Sequence, residues 1–213
     1  MNADATDREQ QRAIIPASTT VLGIAGSARR RGNTDLLLDQ FLTGAESAGA
    51  LADRVILSRC QITHCVACEL CFEAGFCAID DDFQRVEEKI LTADVIALAA
   101  PVYFWNLPGH AKSLIDRSES QWARKYVRQE PLAATPAGHR RRRGVFMATA
   151  GQPQADFSGI LQTVISFFDV WETDLWRELL LEDVDEKGAI LDHDGALEAA
   201  RQLGKESVSA SWD

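Results

Sequence analysis

Apolar residues follow two alternating rhythms along the chain: short continuous runs, and longer stretches at helical spacing. Residues 20–25 (TVLGIA) are an apolar run with a β-branched start that stops at Gly26-Ser27, and they predict a first strand. Residues 34–48 then place Leu37, Phe41, Ala45 and Ala48 on one helical stripe, with Asn33 or Thr34 as N-cap and Gly49 as stop. The same alternation predicts strands at 51–57, 94–100, 144–149 and 175–181, and helices at 83–91, 107–117, 157–170 and 195–208. Strands alternating with helices predict a parallel doubly wound α/β sheet with right-handed crossovers and ligands at the carboxyl ends of its strands. The almost wholly apolar run 94–100 calls for cover on both faces. Residues 118–143 break the rhythm and are expected to form a long connection or small insert near the active edge.

Composition narrows the function. The 213 residues are 46% hydrophobic, which suits one core, since a domain runs on the order of 100 to 200 residues. Against 22 basic side chains stand 32 acidic ones, a net charge of -10, so nucleic acid and anionic membrane are excluded as first partners. The longest apolar run, 95–102, contains Pro101 and falls far short of the roughly 20 residues that span a bilayer. The first dozen residues carry Asp4, Asp7 and Glu9 with no apolar stretch, unlike a secretory leader. The expected organisation is a tail over 1–18 and one domain over 19–209, in a cytoplasmic protein.

The loop after the first strand, Gly26-Ser27-Ala28-Arg29-Arg30-Arg31-Gly32-Asn33-Thr34, ends where a helix begins. Unpaired N–H groups and the dipole at that helix start favour an anion, Ser27 and Thr34 offer hydroxyls, and Arg29 offers a fork of donors. A phosphate monoester fits this chemistry; the G-x-G-x-x-G dinucleotide loop and the Walker loop are both absent here. The segment GSARRRGNTDLLL resembles the FMN-phosphate loop of flavodoxin-like NAD(P)H-dependent FMN reductases. Residues 100–108 (APVYFWNLP) with 112–117 (KSLIDR) resemble that family's flavin-contacting segment. The resemblance implies a flavodoxin-like five-stranded sheet of order 2-1-3-4-5 with helices on both faces. It also implies FMN held by Ser27, Arg29, Asn33, Thr34, Pro101, Val102, Tyr103, Phe104, Trp105, Asn106, Ala150 and Gly151.

All five cysteines lie between Cys60 and Cys77. In a reducing compartment such a local cluster favours metal over disulfide. Cys65, Cys68, Cys71 and Cys77 are separated by two, two and five residues, a spacing that favours a [4Fe-4S] cluster over a four-thiolate zinc site. Plain thiols are the remaining alternative. The spacing also resembles the compact motif of the iron-sulfur flavoproteins, a branch of the same family in which one chain carries FMN and a [4Fe-4S] cluster. Cys60 and His64 fall outside the motif.

His110 sits just beyond the flavin segment and is a candidate proton donor or a surface histidine. Residues 139–143 (HRRRR) form a basic run that either draws an anionic substrate or NADPH phosphate, or is a solvated loop. Trp171 and Trp176 fit core or subunit contacts. Trp105 stands where relatives often carry a small residue, and its bulk is expected to reshape access to the flavin. These features imply an oxidoreductase in which NAD(P)H, a small-molecule substrate or a redox partner protein exchanges electrons with the flavin. Three roles stay open: a general reductase, an electron carrier, and a substrate-specific FMN dehydrogenase of a small biosynthetic acid of the chorismate-derived type. The family's habit implies a homo-oligomer.

Overall fold

A computed structural model describes residues 18–212. The tail expected over 1–18 therefore lies, except for Ser18, outside the described residues. Five strands run in chain order: β1 (Thr20–Ala25), β2 (Leu51–Ile56), β3 (Val95–Pro101), β4 (Arg142–Thr149) and β5 (Thr173–Leu181). They form one all-parallel sheet of order β2-β1-β3-β4-β5. The helices are α1 (Asn33–Ser47), α2 (Leu70–Ala74), α3 (Asp82–Thr92), α4 (Gly109–Arg117), α5 (Glu119–Trp122), α6 (Ser158–Val170) and α7 (Ala196–Ser209).

Side chains of a strand alternate between faces, so each strand feeds two cores. Ile96, Leu98 and Ala100 of β3 join a cluster with Phe83 and Ile90 of α3, Leu114 of α4 and Phe167 of α6. Val95, Ala97 and Ala99 face the other way, onto Leu37 and Phe41 of α1 and Ala200 of α7. That double cover is why the central strands read as continuous apolar runs. Trp171 is fully buried in the first cluster and donates its indole N–H to Ser118 Oγ at 3.1 Å.

The structure shifts several of the expected boundaries. Gly32, in extended conformation, is the N-cap of α1, and no side chain caps that helix; Asn33 is its first residue. β4 and β5 each begin two residues earlier than their apolar runs suggest, because Arg142 and Thr173 pair in register. The cysteine stretch contains the short α2, which apolar periodicity does not mark. The stretch 118–143 is partly helical: α5 continues into a wider π turn at Ala123–Val127. Its remainder is pinned by Thr135, whose hydroxyl donates to the fully buried carboxylate of Asp94. Asp94 also accepts from the Thr20 N–H and hydroxyl, each at 2.8 Å. Among the described residues, no helix is long and apolar enough to cross a membrane.

Candidate functional site

The carboxyl ends of β1, β3, β4 and β5 enclose a cavity of about 60 Å³. Gly26 lets the chain leave β1: a Cβ there would stand 2.9 Å from the Ala100 Cβ. The loop then folds on itself, with the Arg29 N–H donating to Ser27 Oγ at 3.1 Å and the Gly32 N–H to the Arg29 carbonyl at 3.1 Å. Ser27, Arg29, Gly32, Asn33 and Thr34 all line the cavity, and Thr34 is almost wholly buried. Because α1 has no side-chain cap, its first N–H groups are left for an anion.

Asn33 lines the cavity and its side chain also makes contacts that the sequence did not suggest. Its Nδ2 donates to the Glu186 carbonyl at 2.8 Å, and its Oδ1 accepts from the N–H of Gly188 at 2.9 Å and of Ile190 at 3.4 Å. The side chain straps the loop after β5 onto the phosphate loop. Arg29 reinforces the strap with a bond from Nη1 to the Asp185 carbonyl at 3.3 Å. Val184, Asp185 and Lys187 of that loop line the cavity together with Thr149. Thr149 belongs to the loop after the fourth strand that the resemblance already placed beside the flavin; sequence reasoning missed Val184, Asp185 and Lys187, for which the signal was only the rule that ligands sit beyond the carboxyl ends of strands.

Pro101, Val102 and Tyr103 line the same cavity, as does Gly151. Ala150 is buried beside them, donating to the Leu181 carbonyl and accepting from the Val184 N–H, both at 2.9 Å. The segment then makes a two-residue turn in which Tyr103 and Asn106 exchange backbone hydrogen bonds of 2.8 and 3.0 Å. Phe104 and Trp105 occupy its corners at φ 49° and 63°. Two positive φ values define the type I′ turn, usually Asn-Gly, so bulky aromatics there carry strain of order 1 kcal/mol or more each. Phe104 is 101% exposed and Trp105 53% exposed. Asn106 braces the turn, donating to Thr163 Oγ1 of α6 at 3.3 Å. His110 is exposed on the first turn of α4, outside the lining of both cavities described here.

The basic run does not face this cavity. Arg142 and Arg143 open β4 at its amino end, roughly 23 Å from the carboxyl end at 3.3 Å per residue. Arg143 stacks on Trp212 and Trp176, 4.0 and 5.2 Å from their ring centres, and donates to the Ser207 and Ala210 carbonyls at 3.0 and 3.1 Å. Arg141 pairs with Asp174, and His139 stacks on Trp212. The run ties down the C-terminal segment, and an anion-steering role is overturned by its position.

A second cavity of about 510 Å³ lies beside α4 and is lined by Cys65, Cys68, Cys71 and Cys77. Cys60 is not in its lining; its thiol points to the Ile56 carbonyl at 3.5 Å. Phe72, Trp122, Phe167 and Val170 make the apolar walls. Ala67 and Glu69 hold positive φ values of 51° and 60° on either side of Cys68, a concentration of backbone strain within the cysteine loop. Asp81 closes the loop with a capping box, accepting from the Phe83 N–H at 2.9 Å while Gln84 Oε1 accepts from the Asp81 N–H at 3.2 Å. Arg117, at the end of α4, is buried against it and donates from Nε to Cys77 Sγ at 3.1 Å.

Burial pushes the Cys71 thiol up, and the nearby Glu119, Cys77 and Cys68 add to the rise. Burial alone would raise the Asp81 carboxyl too. Hydrogen bonds from Arg117 and from the Thr63 and Phe83 N–H groups, with the Arg117 charge, outweigh it and hold Asp81 below the usual carboxylate range. Among the described residues, no three His, Cys, Asp or Glu side chains converge closely enough to hold a metal ion. The four thiols thus share a cavity without a preformed cage. Their donor chemistry, four cysteines lining one cavity with a buried guanidinium at one of them, fits a thiolate-ligated group.

This pairing of a parallel sheet of order 2-1-3-4-5 with a cavity lined by a strand-to-helix loop at its carboxyl end agrees with comparison to known proteins. The profile of the NADPH-dependent FMN reductase family matches residues 19–173, and the chain belongs to that family. Within it, the chain falls with the iron-sulfur flavoproteins. It is 40% identical over 98 residues to an iron-sulfur flavoprotein of Methanosarcina thermophila, covering 46% of this chain and 51% of that one. It is 30% identical over 153 residues to one of Methanocaldococcus jannaschii, covering 71% and 72%. The match to the former thus spans about half of that protein's length. The solved structure of an NAD(P)H:quinone oxidoreductase from Methanothermobacter marburgensis superposes with a TM-score of 0.65 at 16% identity, covering 92% of this chain and all of that one.

Proposed function

We propose that the protein is an FMN-dependent oxidoreductase, one flavodoxin-like unit over 19–209, that also carries a [4Fe-4S] cluster and couples two-electron to one-electron transfer. The observation that carries this reading is α4. It leaves the flavin segment at Gly109 and, nine residues long, ends at Arg117, hydrogen-bonded to Cys77, so one short helix joins the phosphate side to the thiol cavity. When bound, FMN supplies hydride chemistry and the iron-sulfur group single-electron transfer.

The chain's own residues bind and orient. Ser27, Thr34, Arg29 and the α1 N-terminus hold the phosphate, and Lys187 adds a second cation. Pro101 to Tyr103 and Gly151 flank the ring, while Trp105 narrows the approach. Cys65, Cys68, Cys71 and Cys77 are the four ligands, and Phe72, Trp122, Phe167 and Val170 supply apolar surface beside them. NAD(P)H or a redox partner protein supplies electrons. The exposed Phe104 and Trp105 beside the site support a homo-oligomer.

The role of general reductase or carrier is favoured over a dedicated dehydrogenase of a small acid, because the basic run that would have drawn an anion lies at the far end of the sheet. Trp105 is the feature that still speaks for a dedicated pocket. Anaerobic purification with a visible spectrum and cofactor analysis tests the proposal: FMN with iron and sulfide is expected, and FAD, zinc or a colourless protein overturns it. Stopped-flow bleaching then separates the roles. Slow reduction by NADPH that accelerates in Trp105→Gly indicates a dedicated pocket; rapid reduction unaffected by that change indicates the general reductase.

A further inference from the structure

Arg117 is 1% exposed, yet its guanidinium is fully engaged with one segment of the chain. Nη1 donates to the Thr63 carbonyl at 2.9 Å and to Asp81 Oδ2 at 2.7 Å; Nη2 donates to the Ile79 carbonyl at 2.9 Å. The guanidinium carbon lies 4.8 Å from the centre of the Phe83 ring. These bonds reach both ends of the cysteine loop, Thr63 before Cys65 and Ile79 after Cys77, so a single side chain closes its neck.

Closing the neck does not require the fourth bond, from Nε to Cys77 Sγ at 3.1 Å. A neutral thiol is a weak acceptor, whereas a thiolate makes a charge-assisted bond with a guanidinium. A buried cation is costly unless its partners are charged. Asp81 is the carboxylate paired with Arg117, and Cys77 is the remaining partner able to carry negative charge. The geometry thus sets a buried guanidinium N–H directly on the sulfur of one proposed ligand.

We propose that Arg117 is a positioning residue that raises the reduction potential of the iron-sulfur group held through Cys77. This rests on the cluster reading above. Reduction adds one electron and no proton, so the reduced group is the more negative form. A fixed cation and an N–H donor at a ligand sulfur stabilise that form more than the oxidised one. Asp81 opposes part of the effect by neutralising Arg117.

The test is an equilibrium titration of anaerobic holoprotein with dithionite, monitored by electron paramagnetic resonance, with iron and sulfide measured on every sample. Arg117→Lys keeps a cation and loses the fork; Arg117→Gln, combined with Asp81→Asn, removes the charge without leaving a buried carboxylate unpaired. Both are expected to lower the potential, the latter by at least a tenfold change in the reduction equilibrium, about 59 mV for one electron. Asp81→Asn alone, which retains the cap, is expected to raise it. Native cluster content with unchanged potentials would overturn the assignment, and so would a downward shift in Asp81→Asn. If the arginine variants take up no cluster, the sign of the Asp81→Asn shift decides alone. Native protein devoid of iron and sulfide defeats the cluster reading itself, and this inference with it.

Discussion

Thr34 contributes a buried hydroxyl to the cavity at the carboxyl end of the sheet, the proposed phosphate site, and Arg29 lines the same cavity. A hydrogen bond to a charged group contributes about 1.5 to 3 kcal/mol, so Thr34→Ala should weaken FMN binding at least tenfold, and Arg29→Glu more, in a fluorescence-quenching titration. Unchanged affinity in both would remove the phosphate from this loop. Asp81 makes a prediction about acid. Its carboxyl sits below its unfolded value of about 3.9, so the stability it contributes is complete above that pH and is lost as pH falls through the lower folded value. Asp81→Asn should flatten the acid limb of the stability curve and leave its neutral-pH slope unchanged. Ser27, Arg29 and Thr34 were legible in the sequence because they lie on one contiguous strand-to-helix turn. Asp185 and Lys187 were not, because the sheet brings them from more than 150 residues away. Asn33 was legible in place, while its bonds to the loop after β5 were not, since no local pattern connects that loop to it.

Helices α1 and α7 meet at a reciprocal pair of glycines. A Cβ on Gly44 would be driven into the Arg201 carbonyl, and one on Gly204 into that of Phe41. Close backbone approach sets the helix spacing, so Gly204→Ala should cost about 1 to 3 kcal/mol, read as a fall in Tm, while the exposed Gly109→Ala, whose Cβ meets nothing within 4 Å, should not. At this scale the strands and long helices were plain in the sequence, since covered parallel strands are apolar throughout and the helices keep their stripe. α2 was hidden because its five residues are too short for a period to show. The helical part of 118–143 was hidden because its buried positions include Ser118, Ser120 and Gln121, which read as polar.

The chain as a whole is acidic at -10, yet Arg29 and Lys187 flank the phosphate cavity, with Arg30 and Arg31 in the same loop. FMN association should therefore slow as salt rises, while the dissociation rate changes less. Bound FMN should also raise the melting temperature, by an amount equivalent to about 2.7 kcal/mol at a hundredfold excess over Kd.

The strap from Asn33 to Glu186, Gly188 and Ile190 closes contacts 153 to 157 residues apart in sequence. It therefore has a consequence in time. Such distant contacts form only after the intervening loop entropy has been overcome, and parallel sheets assemble slowly for the same reason. The phosphate cavity has one wall made by the last strand's loop, so a refolding chain with β1 to β4 in place still lacks it. Flavin capture should lag behind recovery of helical circular dichroism in a refolding jump, and simultaneous recovery would place the strap early. A ligand that binds only after the final strand docks makes FMN a reporter of completed folding, and a newly made chain meets its cofactor last.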